Sequence, residues 1–123
     1  MPIIRSEDAP GFELPGIEVT GYAAPARGSS HSTTYRLDLS RGAEIPKHRH
    51  DREEIVHVLE GPFTQAIDDE EFVLQAGDTA IIPAGAVHYG WATEERAALY
   101  CAMPTGTRMQ RLDGSEAVPP WGE

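Results

Sequence analysis

Apolar side chains in this chain recur at every second position, and no segment carries the longer period of an amphipathic helix. Thr33–Leu39 is the clearest case. Tyr35, Leu37 and Leu39 fall on one face of an extended segment, and Thr34, Arg36 and Asp38 on the other. Short strands are also expected at Ile17–Tyr22, Phe63–Ile67, Phe72–Leu74, Ala80–Ile82, His88–Ala92 and Ala97–Met103. Glu54–Leu59 is a continuous apolar and β-branched run, which reads as a strand buried on both faces. Between these segments lie a loop at Ala23–Ser30, turns at Ser40–Gly42 and Pro83–Gly85, and an acidic turn at Asp68–Glu71. Twelve glycines and ten prolines suit such a succession of short strands and turns. The pattern predicts an all-β sandwich or barrel.

A chain of 123 residues is one domain. It is expected to divide into an irregular N-terminal arm over 1–16, broken by Pro2, Pro10 and Pro15, a barrel over 17–104, and an extended tail over 105–123 packed along the surface. The formal net charge of −10 argues against nucleic acid and anionic membrane as partners. Cys101 is the single cysteine, so no internal disulfide can form and a reducing compartment is expected. The first residues lack an apolar core of signal-peptide type, and no apolar run reaches spanning length. A cytoplasmic protein follows as the expectation.

Two polar blocks interrupt this plain pattern. His48 and His50 are two apart, so on a strand both imidazoles point to one face, with Glu54 close behind. His88 follows far enough downstream to come from another strand. Three imidazoles and a carboxylate make a natural site for a divalent transition metal. The remaining candidates are weaker. Parity sends His57 to the face opposite Glu54, His31 precedes a strand, and Glu53 reads as a surface carboxylate.

The two blocks carry a recognisable pattern. Gly42, His48, His50, Glu54 and Gly61 match G-x5-H-x-H-x3,4-E-x6-G, and Gly77, Pro83, Gly85 and His88 match G-x5-P-x-G-x2-H-x3-N. Ala92 stands where the second pattern ends in Asn. In these features the chain resembles the cupin superfamily, specifically its small single-domain members. The resemblance implies a jelly-roll β-barrel and one divalent transition metal, Fe, Mn, Ni, Cu or Zn, held by His48, His50, Glu54 and His88. It also implies a homodimer and a small-molecule substrate or ligand.

Strand parity then indicates what surrounds the site. Phe63, Gln65 and Ile67 share a face, so Gln65 is a polar group expected among apolar ones and a candidate to meet substrate. Tyr100 and Cys101 lie on opposite faces of their strand, and Tyr100, if inward, is a candidate acid–base group. Gly90 and Ala92 share parity with His88, and their small size predicts open volume beside the ion. Trp91 and Trp121 read as core or interface residues. The functional expectation is a metal-dependent enzyme acting on a small organic metabolite, by dioxygenase-type chemistry or by cyclisation or isomerisation of the polyketide-cyclase kind. The alternative is a non-catalytic binding or sensor module.

Overall fold

The computed structural model describes all residues, Met1–Glu123, as two antiparallel six-stranded sheets packed face to face. Twelve strands run in chain order: β1 (Gly11–Leu14), β2 (Ile17–Gly21), β3 (Ser32–Ser40), β4 (Glu44–His50), β5 (Glu54–Glu60), β6 (Phe63–Ile67), β7 (Glu70–Leu74), β8 (Thr79–Ile82), β9 (His88–Ala92), β10 (Arg96–Pro104), β11 (Met109–Arg111) and β12 (Glu116–Ala117). One sheet has the order β1-β2-β3-β10-β5-β8 and the other β12-β11-β4-β9-β6-β7. Helical structure is confined to three short 3-10 turns, at Ser6–Asp8, Pro25–Arg27 and Pro120–Gly122.

The alternation seen in the sequence sets which face meets the core. On β3, Thr33, Tyr35, Leu37 and Leu39 are buried, and the residues between them are not. Tyr35, Leu37 and Leu39 pack with Val56, Val58, Leu99, Cys101 and Met103 of the same sheet and with Phe63 and Ala92 of the other. Where the chain must reverse tightly, residues depart from ordinary backbone. Asp68 and Asp69 turn β6 into β7 with φ of 47° and 67°, a hairpin geometry that aspartate tolerates better than most side chains.

Four segments differ from the expectations. Gly11–Leu14, within the supposedly irregular arm, pairs along its length with β2. β5 is buried on one face only: Glu54, Val56 and Val58 point inward, while Ile55 and Leu59 are about two-fifths exposed at 40% and 42%. An apolar run therefore does not distinguish a doubly covered strand from one whose outer face carries aliphatic side chains. The tail adds β11 and β12 to the second sheet and buries Trp121 against Tyr35, with ring centroids 5.8 Å apart. The acidic turn is shorter than expected, since β7 begins at Glu70.

Candidate metal centre

The site lies between the sheets. β4 and β9 are neighbours in the second sheet, and their register sets His48 directly opposite His88. His50 shares the inward face of β4 with His48. All three imidazoles are buried, and one nitrogen from each lies within 4.8 Å of the others. Such a trio can hold a metal ion. Glu54 faces them from β5 in the first sheet. Its carboxylate oxygens are 4.0 Å from His50 Nδ1 and 3.8 Å from His88 Nε2.

The backbone orients the rings. The Nδ1–H of His48 donates to the Pro46 carbonyl at 2.7 Å, and that of His88 to the Ala86 carbonyl at 3.0 Å. A carbonyl only accepts, so in the neutral rings each Nε2 keeps its lone pair. His88 Nε2 and His50 Nδ1 are buried and have no hydrogen-bond partner. Buried nitrogens without partners are costly unless something else satisfies them. The loop before His88 is tied to the same strand, because the Gly85 N–H donates to the His50 carbonyl at 2.8 Å. Gly85 holds φ at 81°, a conformation that glycine adopts without the steric cost of a Cβ.

Burial makes the imidazoles reluctant to protonate. It lowers His48 to about 4, with the neighbouring His88 charge adding to the effect. Burial lowers His50 to about 3, helped by His48 and His88, and lowers His88 as well. Glu54 moves the other way, raised to about 7 by burial despite a hydrogen bond from Tyr35 that favours its ionised form. At neutral pH the site therefore offers neutral imidazoles and a carboxyl near its midpoint. That donor set suits a divalent first-row transition metal, whose charge would draw Glu54 into its ionised form.

Beside these residues lies a cavity of about 470 Å³, within the range of small-molecule sites. Its walls are mainly apolar: Phe12, Leu14, Leu37, Ile45, Val56, Leu99 and Trp121 contribute. Gln65 borders it and is buried, and its amide NH2 donates to the Tyr89 and Ala66 carbonyls at 3.0 and 3.2 Å. Its donors are thus spent on backbone, and only the amide oxygen is left for a guest.

Tyr100 does not join the site. It stands on the outer face of β10, stacked on Tyr22 at 6.0 Å, and Cys101 takes the inward position. The tyrosine inside is Tyr35, whose hydroxyl donates to Glu54 and whose strand position lies opposite Cys101. Burial and the Glu54 charge push the Tyr35 hydroxyl and the Cys101 thiol well above their ordinary pKa values, so both stay protonated. Sequence reasoning placed Tyr35 on one face with Leu37 and Leu39 but did not connect it with Glu54. The available signal was that the two share the inward parity of strands flanking one central strand. The open volume expected at Gly90 is also absent. A Cβ there would lie 2.4 Å from Phe63 Cζ and 2.7 Å from the Thr64 carbonyl, because the Phe63 ring fills that space. His57 stands on the outer side, accepting or donating at Nδ1 with the Thr79 hydroxyl at 2.8 Å. His31 and Glu53 are exposed.

The sequence profile of the cupin domain matches residues 35–103. Comparison with curated protein sequences finds no match. Solved structures share the fold at low identity. KdgF from Halomonas sp. superposes with a TM-score of 0.72 at 21% identity, covering 89% of this chain and 94% of that one. The polyketide cyclase RemF from Streptomyces resistomycificus gives 0.79 at 16% identity, covering 91% and 85%. Salicylate 1,2-dioxygenase from Pseudoaminobacter salicylatoxidans, with gentisate adducts, gives 0.71 at 19% identity. This chain matches 82% of its own length there but 30% of the larger enzyme. No helix in the structure is long and apolar enough to cross a membrane.

Proposed function

The chain belongs to the cupin domain family, and on that footing we propose that it is a metal-dependent enzyme acting on a small organic molecule in the cavity. His48, His50, His88 and Glu54 would hold one divalent transition metal. The observation that carries this reading is the pair of buried, unpartnered nitrogens on His50 and His88 lying 4.0 and 3.8 Å from the Glu54 carboxylate beside a mainly apolar cavity. When bound, such an ion supplies Lewis acidity and, if redox-active, activation of dioxygen.

The chain's own residues do the rest. Pro46 and Ala86 fix the ring tautomers, and the Tyr35 hydroxyl holds the Glu54 carboxyl by a hydrogen bond. The apolar walls exclude water from the guest. The names of the similar folds support two reactions. One is oxygen-dependent cleavage, as the dioxygenase name indicates. The other is non-redox cyclisation or isomerisation, as the cyclase name indicates.

The test begins with elemental analysis of the purified protein and of His50→Ala. One transition metal per chain is expected in the first, and strongly reduced occupancy in the second. A metal content that is negligible in both, or equal in both, overturns the ligand assignment. Oxygen uptake on adding substrates marks the first reaction, and turnover under nitrogen marks the second. Ligand binding without turnover, under either atmosphere and across a broad substrate set, identifies a binding module instead.

A further inference from the structure

Arg111 is an exposed cation at the cavity rim that makes no ion pair within 4.0 Å. It lies on β11, directly opposite His48, while Met109 lies opposite His50. Arg111 and Met109 have the same parity, so both share the inward face of the two histidines. Both border the cavity. Of the nine arginines only Arg36, Arg96 and Arg108 are in ion pairs within 4.0 Å; Arg111 is not, and it is the one arginine that borders the cavity. The nearby carboxylate of Asp113 feels the Arg111 charge but spends its hydrogen bonding on the Ser115 N–H, at 2.8 Å. Glu116, on the adjoining strand, is taken by Arg108 and Gln110. Lys47 also borders the cavity, but its ammonium sits over the ring of Tyr89, 4.8 Å from the centroid.

The rest of the molecule makes this isolated charge meaningful. With a net charge of −10, the protein's general field repels anions. A guanidinium without an ion pair at the rim of a mainly apolar cavity, which Glu13 also borders, is a local exception to that field. Its planar fork matches a carboxylate with two parallel hydrogen bonds. A doubly charged phosphate would be left undercompensated by a single arginine in a protein of net charge −10.

We propose that Arg111 anchors the carboxylate of a substrate whose remaining body is apolar and fills the cavity, so that the substrate class is hydrophobic monocarboxylic acids. This rests on the reading of the cavity as the substrate site. The carboxylate sits at the rim, and the apolar body extends inward towards the histidines.

The experiment uses two probes of equal shape, 2-naphthoate and its neutral amide 2-naphthamide. Binding to the protein as purified is followed by calorimetry. Wild type should bind the acid about tenfold more tightly than the amide, or more, as hydrogen bonds to a charged group imply. In Arg111→Gln that preference should vanish, with amide affinity and metal content unchanged. Arg111→Lys, which keeps the charge but loses the fork, should retain part of it. Equal affinities in wild type overturn the proposal. A preference that survives in Arg111→Gln also overturns it, because the carboxylate then binds elsewhere, such as at the histidines. Failure of both probes to bind wild type overturns the cavity reading together with this proposal.

Discussion

Tyr35 and Glu54 form the most consequential side-chain pair in the molecule. Both are buried, and the hydroxyl is the hydrogen-bond donor to a carboxyl that burial otherwise pushes towards neutrality. Tyr35→Phe removes the donor and keeps the ring against Trp121. The Glu54 pKa should then rise above about 7, since the hydrogen bond was lowering it. The loss should cost about 1–3 kcal/mol of stability, the usual penalty for orphaning a buried polar group. The carboxyl infrared band followed across pH checks the first expectation, and denaturant titration the second. An unmoved Glu54 titration would mean that Tyr35 is only a packing residue. The histidines and Glu54 were legible in the sequence because parity and spacing are local properties of a strand. The choice between Tyr100 and Cys101 was not. Their strand is rich in apolar residues on both faces, so nothing local marks the inward one. Gln65 was correctly read as inward, but the carbonyls that occupy its amide belong to positions that pairing alone reveals.

At the scale of elements, β9 shows how a neighbouring strand can overrule a local inference. Gly90 lies opposite Gln65 in register, and the Phe63 ring leans over it. Gly90→Ala should therefore destabilise the sheet by about 1–3 kcal/mol, the range for overpacking a filled core. The Thr64 carbonyl, 2.7 Å from the added carbon, is backbone and cannot rotate aside. Phe63→Leu in the same chain should recover part of the loss, by relieving the ring contact only. Urea midpoints of the single and double mutants check this, and a Gly90→Ala protein as stable as wild type would contradict it. The strands that alternate cleanly, such as β2 and β3, can be read directly from the order of their residues. β1, β11 and β12 cannot, because two to four residues carry too little periodicity. They exist as strands through the partners that tertiary structure gives them.

Across the whole molecule the buried histidines govern the response to acid. In protein stripped of metal, folded His48 and His50 protonate at about 4 and about 3, against an ordinary 6.5. The unfolded chain therefore binds more protons, and stability falls as pH drops below 6.5 towards those values. Glu54 acts oppositely. Its raised folded pKa contributes stability that is complete below 4.5 and is lost as pH climbs through about 7. Three depressed histidines outweigh one raised carboxyl. The melting temperature of the chelated protein should thus rise from acid towards neutrality and level off once Glu54 has ionised. A melting temperature that climbed on acidification would contradict this balance. Added metal should raise the plateau, because it binds the folded site in preference to the unfolded chain.

The order of the first sheet has a temporal consequence. β10 lies between β3 and β5, pairing with Ser32–Ser40 on one side and with part of β5 on the other. Neither flank can complete its hydrogen bonding until Arg96–Pro104 arrives. During synthesis, β3, β4 and β5 must wait outside the ribosome while the intervening residues are still being made. His48, His50 and Glu54 spend that interval without the completed sheet that seals them. Closure over such long sequence separations is slow.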